Sequence, residues 1–186
     1  MLYLIRHSIV VQQPEVSSHS WQLSAAGRLK ASQLAKHLPK PPGFVYTSGE
    51  PKAYETGKAI AAEWGIACQT AAGLQEQQRH KAPYFDTLDQ FQAAITNLFD
   101  HPNELVLGEE TAVQARTRFS QAVSHLVEQH PTQTIAIVTH GTVLSLFVAW
   151  HNPNVNIHQF WRGLTMPDCY ALTLPDFTLQ QRITSG

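Results

Sequence analysis

Residues 2–8, LYLIRHS, join an apolar run to a polar end, and residues 134–141, TIAIVTHG, repeat that pattern late in the chain. Neighbouring residues in both runs are apolar, which is typical of parallel strands that helices cover on both faces. The two runs therefore predict the central strands of an α/β fold. Each strand ends on polar residues, Arg6 and His7 after the first and His140 after the second.

The segments between these strands contain helix patterns and a further strand. Residues 23–38, LSAAGRLKASQLAKHL, begin with Ser24 as an N-cap, and residues 50–65 and 111–131 have helical spacing with recognisable ends. Residues 43–48, GFVYTS, predict another strand. Alternation of strands and helices predicts a three-layer α/β/α sandwich with a mostly parallel central sheet.

Two further segments complete the predicted organisation. Residues 169–183, CYALTLPDFTLQQRI, predict an antiparallel hairpin at the sheet edge. Residues 75–107 are largely polar around one helical pattern, and we interpret them as a small cap-like excursion. A length of 186 residues is typical of one domain, so we expect a single domain over residues 1–186.

Composition and charge argue against several classes of partner. The formal net charge is -1, from 13 Lys and Arg against 14 Asp and Glu, so no basic field favours nucleic acid or an anionic membrane. The longest apolar stretch, residues 142–150, is too short to span a bilayer. Two distant cysteines, Cys68 and Cys169, and the absence of a leader before Leu2 favour a cytoplasmic protein.

Polar residues at the carboxyl ends of the predicted strands indicate an anion site. Arg6 and His7, residues 48–52 and His140 each follow a strand, and ligands of open α/β sheets bind at this edge. Helices begin near residues 49 and 141, and their N-terminal N–H groups also favour an anion. A phosphoryl group is the expected ligand.

Five segments of the chain, taken in order, resemble one family. LIRHS, LSAAGRLKASQLAKHL, TSGEPKAYETG, LQEQ and IVTHG match the pattern of the histidine phosphatase superfamily, also called phosphoglycerate mutase-like. The resemblance covers Leu2 to Trp150. It implies a phosphatase of the histidine acid phosphatase type, acting on a small phosphorylated substrate.

The resemblance implies a mechanism without a metal ion or cofactor. His7 would attack phosphorus and form a phosphohistidine, which water then hydrolyses. Glu76 would protonate the leaving oxygen and then activate the water, for which it needs a raised pKa.

The same resemblance implies the groups that hold the phosphoryl oxygens. Arg6 offers two parallel N–H donors, and Lys52 and His140 add charge. Gln13 stands where relatives carry an Asn that touches phosphate.

Two departures from the family pattern leave other functions open. Ser8 replaces a glycine, whose loss we expect to strain the backbone or narrow the pocket, and Lys52 replaces an arginine and its two-pronged fork. The alternatives are a weakened relative that binds a phosphorylated ligand as a regulatory module, and a phosphoglycerate mutase-type phosphotransferase. The sequence leaves the natural substrate and the oligomeric state open.

Overall fold

The computed structural model describes residues 1–184, which form a central six-stranded sheet with helices on both faces. This arrangement confirms the predicted three-layer α/β/α sandwich. The strands are β1 (Leu2–Arg6), β2 (Phe44–Thr47), β3 (Cys68–Thr70), β4 (Ile135–Thr139), β5 (Asp168–Thr173) and β6 (Thr178–Ile183).

Six helices and a short 3₁₀ turn at Ser18–Ser20 connect the strands. No helix within residues 1–184 is long and apolar enough to cross a membrane. The helices are α1 (Ala25–His37), α2 (Pro51–Trp64), α3 (Leu88–Asp100), α4 (Ala112–Gln129), α5 (Gly141–His151) and α6 (Ile157–Arg162).

The strand order is β3-β2-β4-β1-β5-β6, with β1 and β4 at the centre as predicted. Strands β1, β2, β3 and β4 pair in parallel, and β5 and β6 add the predicted antiparallel hairpin at one edge. Arg6 at the end of β1 pairs with Thr139 at the end of β4. The carboxyl ends of β1, β2 and β4 therefore lie side by side.

Apolar side chains alternate between the two faces of the sheet and form two cores. On one face, Tyr3 and Ile5 of β1 pack with residues of α1 and α2. On the other, Leu2 and Leu4 pack with residues of α3, α4, α5 and α6. Helices on both sides keep the central strands out of water, which explains why β1 and β4 are apolar on both faces.

The start of α1 is tied to the loop after β1. Ser24 caps the helix by accepting a hydrogen bond from the Gly27 N–H, and its own N–H donates to the Ile9 carbonyl at 2.9 Å. A Cβ at Gly27 would collide with the Ile9 backbone. The LSAAG segment therefore requires glycine for close approach, and this contact anchors the chain just after His7.

The sequence analysis missed strand β3, and it interpreted the region of α3 only as a cap-like excursion around one helical pattern. Strand β3 is only three residues long and polar, so it carries no clear pattern. Cys68 in this strand is only partly buried, whereas Cys169 is fully buried. Within residues 75–107, α3 starts with its own capping box at Thr87, and its buried side chains join the core around β1.

Candidate active site

The strand ends bring the two predicted site histidines together in the interior. His7 directly follows β1, and His140 follows β4 as the residue before α5. Their ring centroids lie 5.4 Å apart, and both side chains are buried. The parallel pairing of β1 with β4 produces this proximity between residues that are distant in the chain.

One ring nitrogen of His7 is hydrogen-bonded, and the other can act as a nucleophile. Its Nδ1 lies 2.8 Å from the Ser8 carbonyl, which can only accept a hydrogen bond, so Nδ1 carries the proton and Nε2 keeps its lone pair. Burial is the largest cause that holds the pKa of His7 well below its usual value, and the nearby positive charge of Lys52 acts in the same direction. His7 is therefore a neutral imidazole near pH 7.

Ser8 fits its position without the backbone strain that we expected from the loss of glycine. The only non-glycine residue with a positive φ within residues 1–184 is Phe177, so Ser8 has an ordinary backbone conformation. Its N–H donates to the Thr56 hydroxyl at 2.9 Å. The expected strain at Ser8 is therefore wrong, and the contact links the loop after β1 to α2.

Arg6 and His140 present buried N–H groups that protein atoms do not satisfy. Arg6 donates through one terminal nitrogen to the Leu164 carbonyl at 3.2 Å. Within the described part of the chain, Arg6 Nε and His140 Nδ1 are buried and have no hydrogen-bond partner. Unsatisfied buried donors are costly, and a bound oxyanion would satisfy both.

His140 is a neutral donor and does not add the charge that the sequence analysis predicts. Its Nε2 lies 2.7 Å from the Ser48 hydroxyl and 3.3 Å from Glu50 Oε1. A hydroxyl can donate or accept, and when Ser48 donates to Nε2 the proton of the neutral ring is on Nδ1. Burial is the largest cause that lowers the pKa of His140 to about 4, and the opposing charge of Glu50 does not offset it. The contribution of His140 is therefore a hydrogen bond from Nδ1.

Lys52 is buried in the site, but its ammonium already has partners. Its Nζ donates to the Ser18 carbonyl and to Glu50 Oε2, each at 2.6 Å. Burial lowers the pKa of Lys52, while the charge of Glu50 works to raise it. The positive charge that was expected to face the phosphoryl group is thus shared with a carboxylate.

Glu50 is a site residue that the sequence analysis does not single out. Its Oε1 lies 3.3 Å from His140 Nε2 and accepts a hydrogen bond from the Glu76 N–H at 2.9 Å. Burial works to raise the pKa of Glu50, but the charge of Lys52 and the hydrogen bonds from Lys52 and the Glu76 N–H lower it below its usual value. The one signal in the sequence is its place two residues before Lys52, at the start of α2.

Glu76 reaches the site, but its environment is the opposite of the expected one. Its two oxygens accept from the N–H groups of Thr142 at 3.1 Å, Val143 at 3.1 Å and Gln77 at 2.9 Å. Burial works to raise its pKa, yet the Arg79 guanidinium and these N–H groups lower the pKa of Glu76 to about 2. In the free protein the pKa of Glu76 is therefore lowered, and the raised pKa that a general acid needs has to come from a bound phosphate.

The Glu76 carboxylate also caps the N-terminus of helix α5. His140 is the N-cap residue of α5 and makes no side-chain cap hydrogen bond. Glu76, from a distant segment, takes the first N–H groups instead. The helix end therefore favours ionised Glu76, because its dipole and free N–H groups attract negative charge.

Gln13 makes no side-chain hydrogen bond to this cluster within residues 1–184. It is exposed in the loop after β1, where its backbone carbonyl accepts a hydrogen bond from the Trp21 indole at 3.0 Å. A residue in a long loop cannot be placed from its spacing alone.

Residues 1–184 contain no cluster of three or more His, Cys, Asp or Glu side chains placed to hold a metal ion.

Comparison with known proteins gives a family match over almost the whole chain. Residues 2–178 match the model of the histidine phosphatase superfamily (branch 1). None of the curated proteins that were compared matches the chain.

Solved structures share the fold. YhfR from Bacillus stearothermophilus is similar at 24% identity, with a TM-score of 0.70 over 96% of this chain and 93% of that one. A mycobacterial glucosyl-3-phosphoglycerate phosphatase is similar at 18% identity, with a TM-score of 0.69 over 98% and 95% of the two chains. A variant phosphoserine phosphatase from Entamoeba histolytica, in complex with phosphoserine, is similar at 15% identity, with a TM-score of 0.72 over 99% and 96%.

Proposed function

Because the chain belongs to the histidine phosphatase superfamily, we propose that it hydrolyses a small phosphomonoester through a phosphohistidine on His7, without a metal ion. Two of the similar structures are phosphatases for small phosphorylated molecules, glucosyl-3-phosphoglycerate and phosphoserine. Their names support the same class of substrate here.

One observation carries the proposal: a buried, neutral His7 lies beside two buried donors that have no partner in residues 1–184. The donors are Arg6 Nε and His140 Nδ1. Protein interiors rarely leave such groups unpaired, and active sites are a common exception. A phosphoryl group held by these donors would lie next to a nucleophilic nitrogen.

The reaction has two steps. In the first, the Nε2 lone pair of His7 attacks phosphorus, and the bond from phosphorus to the leaving oxygen breaks as that oxygen takes a proton. In the second, water attacks phosphorus, loses a proton, and the bond from phosphorus to nitrogen breaks. Inorganic phosphate leaves, and His7 returns to its neutral form.

The donors around His7 stabilise the charge that spreads over the phosphoryl oxygens during transfer. Arg6 and His140 act through the N–H groups described above, and Lys52 adds the part of its charge that Glu50 leaves uncompensated. Loss of one such preorganised donor typically lowers the rate on the order of 10²-fold to 10³-fold.

We assign to Glu76 the proton transfers of both steps. Its role as the donor to the leaving oxygen requires that bound substrate raise its pKa. The carboxylate is ionised in the free protein, which suits the acceptance of a proton from the attacking water. A phosphoryl dianion bound nearby opposes that ionisation and raises the pKa of Glu76. Glu76 can then donate to the leaving oxygen in the first step.

A generic substrate tests the proposal. The purified protein is incubated with 4-nitrophenyl phosphate in excess chelator, beside the His7→Ala and His37→Ala variants. We expect turnover by the parent and a loss on the order of 10³-fold for His7→Ala, because the nucleophile is missing. His37 is exposed on α1 and bonded to the Gln33 carbonyl, so its variant is the control and should keep its rate.

Two results would contradict the proposal. No turnover by the parent would favour the regulatory module that binds a phosphorylated ligand. Turnover that chelator abolishes would contradict the metal-free route.

A further inference from the structure

An open cavity of about 540 Å³ lies beside the candidate active site and meets it at Glu50. Its other polar lining residues are His19, Ser20, Thr70 and Gln75. Small residues of α2 and of the loop after β3 form the rest of the wall. The cavity is large enough for the alcohol part of a small phosphomonoester.

The fixed charge on the wall of this cavity is negative. Glu50 carries a carboxylate that its ion pair with Lys52 keeps ionised, and Lys52 itself does not line the cavity. Among residues 1–184, no lysine or arginine side chain lines this cavity. A group that enters it therefore meets the carboxylate and neutral hydrogen-bonding side chains without a fixed positive charge to balance them.

We infer that Glu50 determines substrate specificity, and that the cavity receives the leaving group of a phosphomonoester whose alcohol is neutral or carries an amine. The inference rests on the proposed function, because it assigns the cavity to the substrate of the same site. A carboxylate or second phosphate on the alcohol is repelled by Glu50, since like charges in a partly buried site are poorly screened. An ammonium group in that place is attracted.

Glu50 also holds Lys52 and His140, and this positioning role makes a different prediction. Loss of its charge would then weaken every phosphorylated ligand to the same extent, because all of them share the phosphoryl group. A role in specificity changes the ratio of affinities between ligands that differ only in the charge of the alcohol part. The ratio therefore separates the two roles.

Three matched ligands measure that ratio. Phosphoethanolamine, 2-hydroxyethyl phosphate and 2-phosphoglycolate share a two-carbon skeleton and end in an ammonium, a hydroxyl and a carboxylate. Their dissociation constants are measured by calorimetry on a His7→Ala background, so that no ligand is consumed. We expect 2-phosphoglycolate to bind about 10-fold more weakly than 2-hydroxyethyl phosphate, and phosphoethanolamine to bind at least as tightly.

The Glu50→Gln substitution keeps the shape of the side chain and removes its charge. We expect it to reduce the discrimination against 2-phosphoglycolate to less than about 3-fold, since the repulsion is gone. The control is Glu55→Gln on the same helix, where the carboxylate pairs with Arg28 at 2.8 Å. This variant should show the same ratio of ligand affinities as the protein that keeps Glu50.

Equal affinity for the three ligands when Glu50 is present would overturn the inference, and this comparison does not depend on whether the Glu50 variant folds. A ratio that Glu50→Gln leaves unchanged, with all ligands weakened alike, would also overturn it and show that Glu50 only positions Lys52. Turnover of 4-nitrophenyl phosphate by the parent separates these results from a failure of the proposed function.

Discussion

Glu76 should stabilise the folded protein strongly, and by an amount that depends on pH. Three backbone N–H groups and the Arg79 guanidinium hold its carboxylate in the interior. They lower the pKa of Glu76 from 4.5 to about 2. The difference of about 2.5 corresponds to about 3 kcal/mol of folding free energy at pH 7, at about 1.4 kcal/mol for each pKa unit.

The sign follows from the direction of the pKa shift. A carboxyl group with a lowered pKa in the folded state binds protons more weakly there than in the unfolded state. Its stabilisation is complete above the unfolded value of 4.5 and is lost as the pH falls towards about 2. Less than half of it should remain at pH 3.

Urea unfolding of the parent and the Glu76→Gln variant, at pH 7 and at pH 3, tests this account. The variant should be less stable at pH 7, and the gap between the two proteins should shrink by about 2 kcal/mol at pH 3. Exposed Glu15 provides the control, since Glu15→Gln should change the free energy of unfolding by less than about 0.5 kcal/mol at pH 7. A gap between parent and Glu76→Gln that is the same at both pH values would refute the reasoning.

Two further predictions concern activity. Burial keeps His7 and His140 neutral, with the pKa of His140 at about 4, so kcat/KM corrected for substrate ionisation should persist below pH 6 and fall only as the pH approaches about 4. A fall in kcat/KM centred near pH 6.5 would contradict the prediction that both histidines are neutral in the free protein. Lys52→Arg should keep or raise kcat/KM for 4-nitrophenyl phosphate, because a guanidinium can bond Glu50 and still offer donors to the phosphoryl group. A loss of more than about 10-fold would show that the ammonium itself is required.

The fold and part of the site could be predicted because local patterns specify them. Apolar runs at β1 and β4 identify buried parallel strands, and Arg6, His7 and His140 follow them directly. Strand ends in a parallel sheet share one edge, so their convergence needs no knowledge of distant contacts. Gln13 lies in a loop that lacks such a constraint, so its contact with phosphate stays a prediction.

Local sequence patterns do not predict the surroundings of the buried polar groups. Glu76 bonds the Thr142 N–H, a residue 66 positions away, and Ser48 bonds His140 across 92 positions. Nothing near Glu76 in the sequence indicates that a helix start will hold its oxygens. The lowered pKa of Glu76 in the free protein therefore could not be predicted from the sequence.

The sequence by itself determined which segments form strands and helices and which histidines and arginine end at the same edge of the sheet. Only the tertiary structure decided the charge of each group there: neutral His140, ionised Glu76, and Lys52 paired with Glu50. Secondary structure follows from the periodicity of neighbouring residues, whereas ionisation depends on burial and on distances between groups that folding brings together.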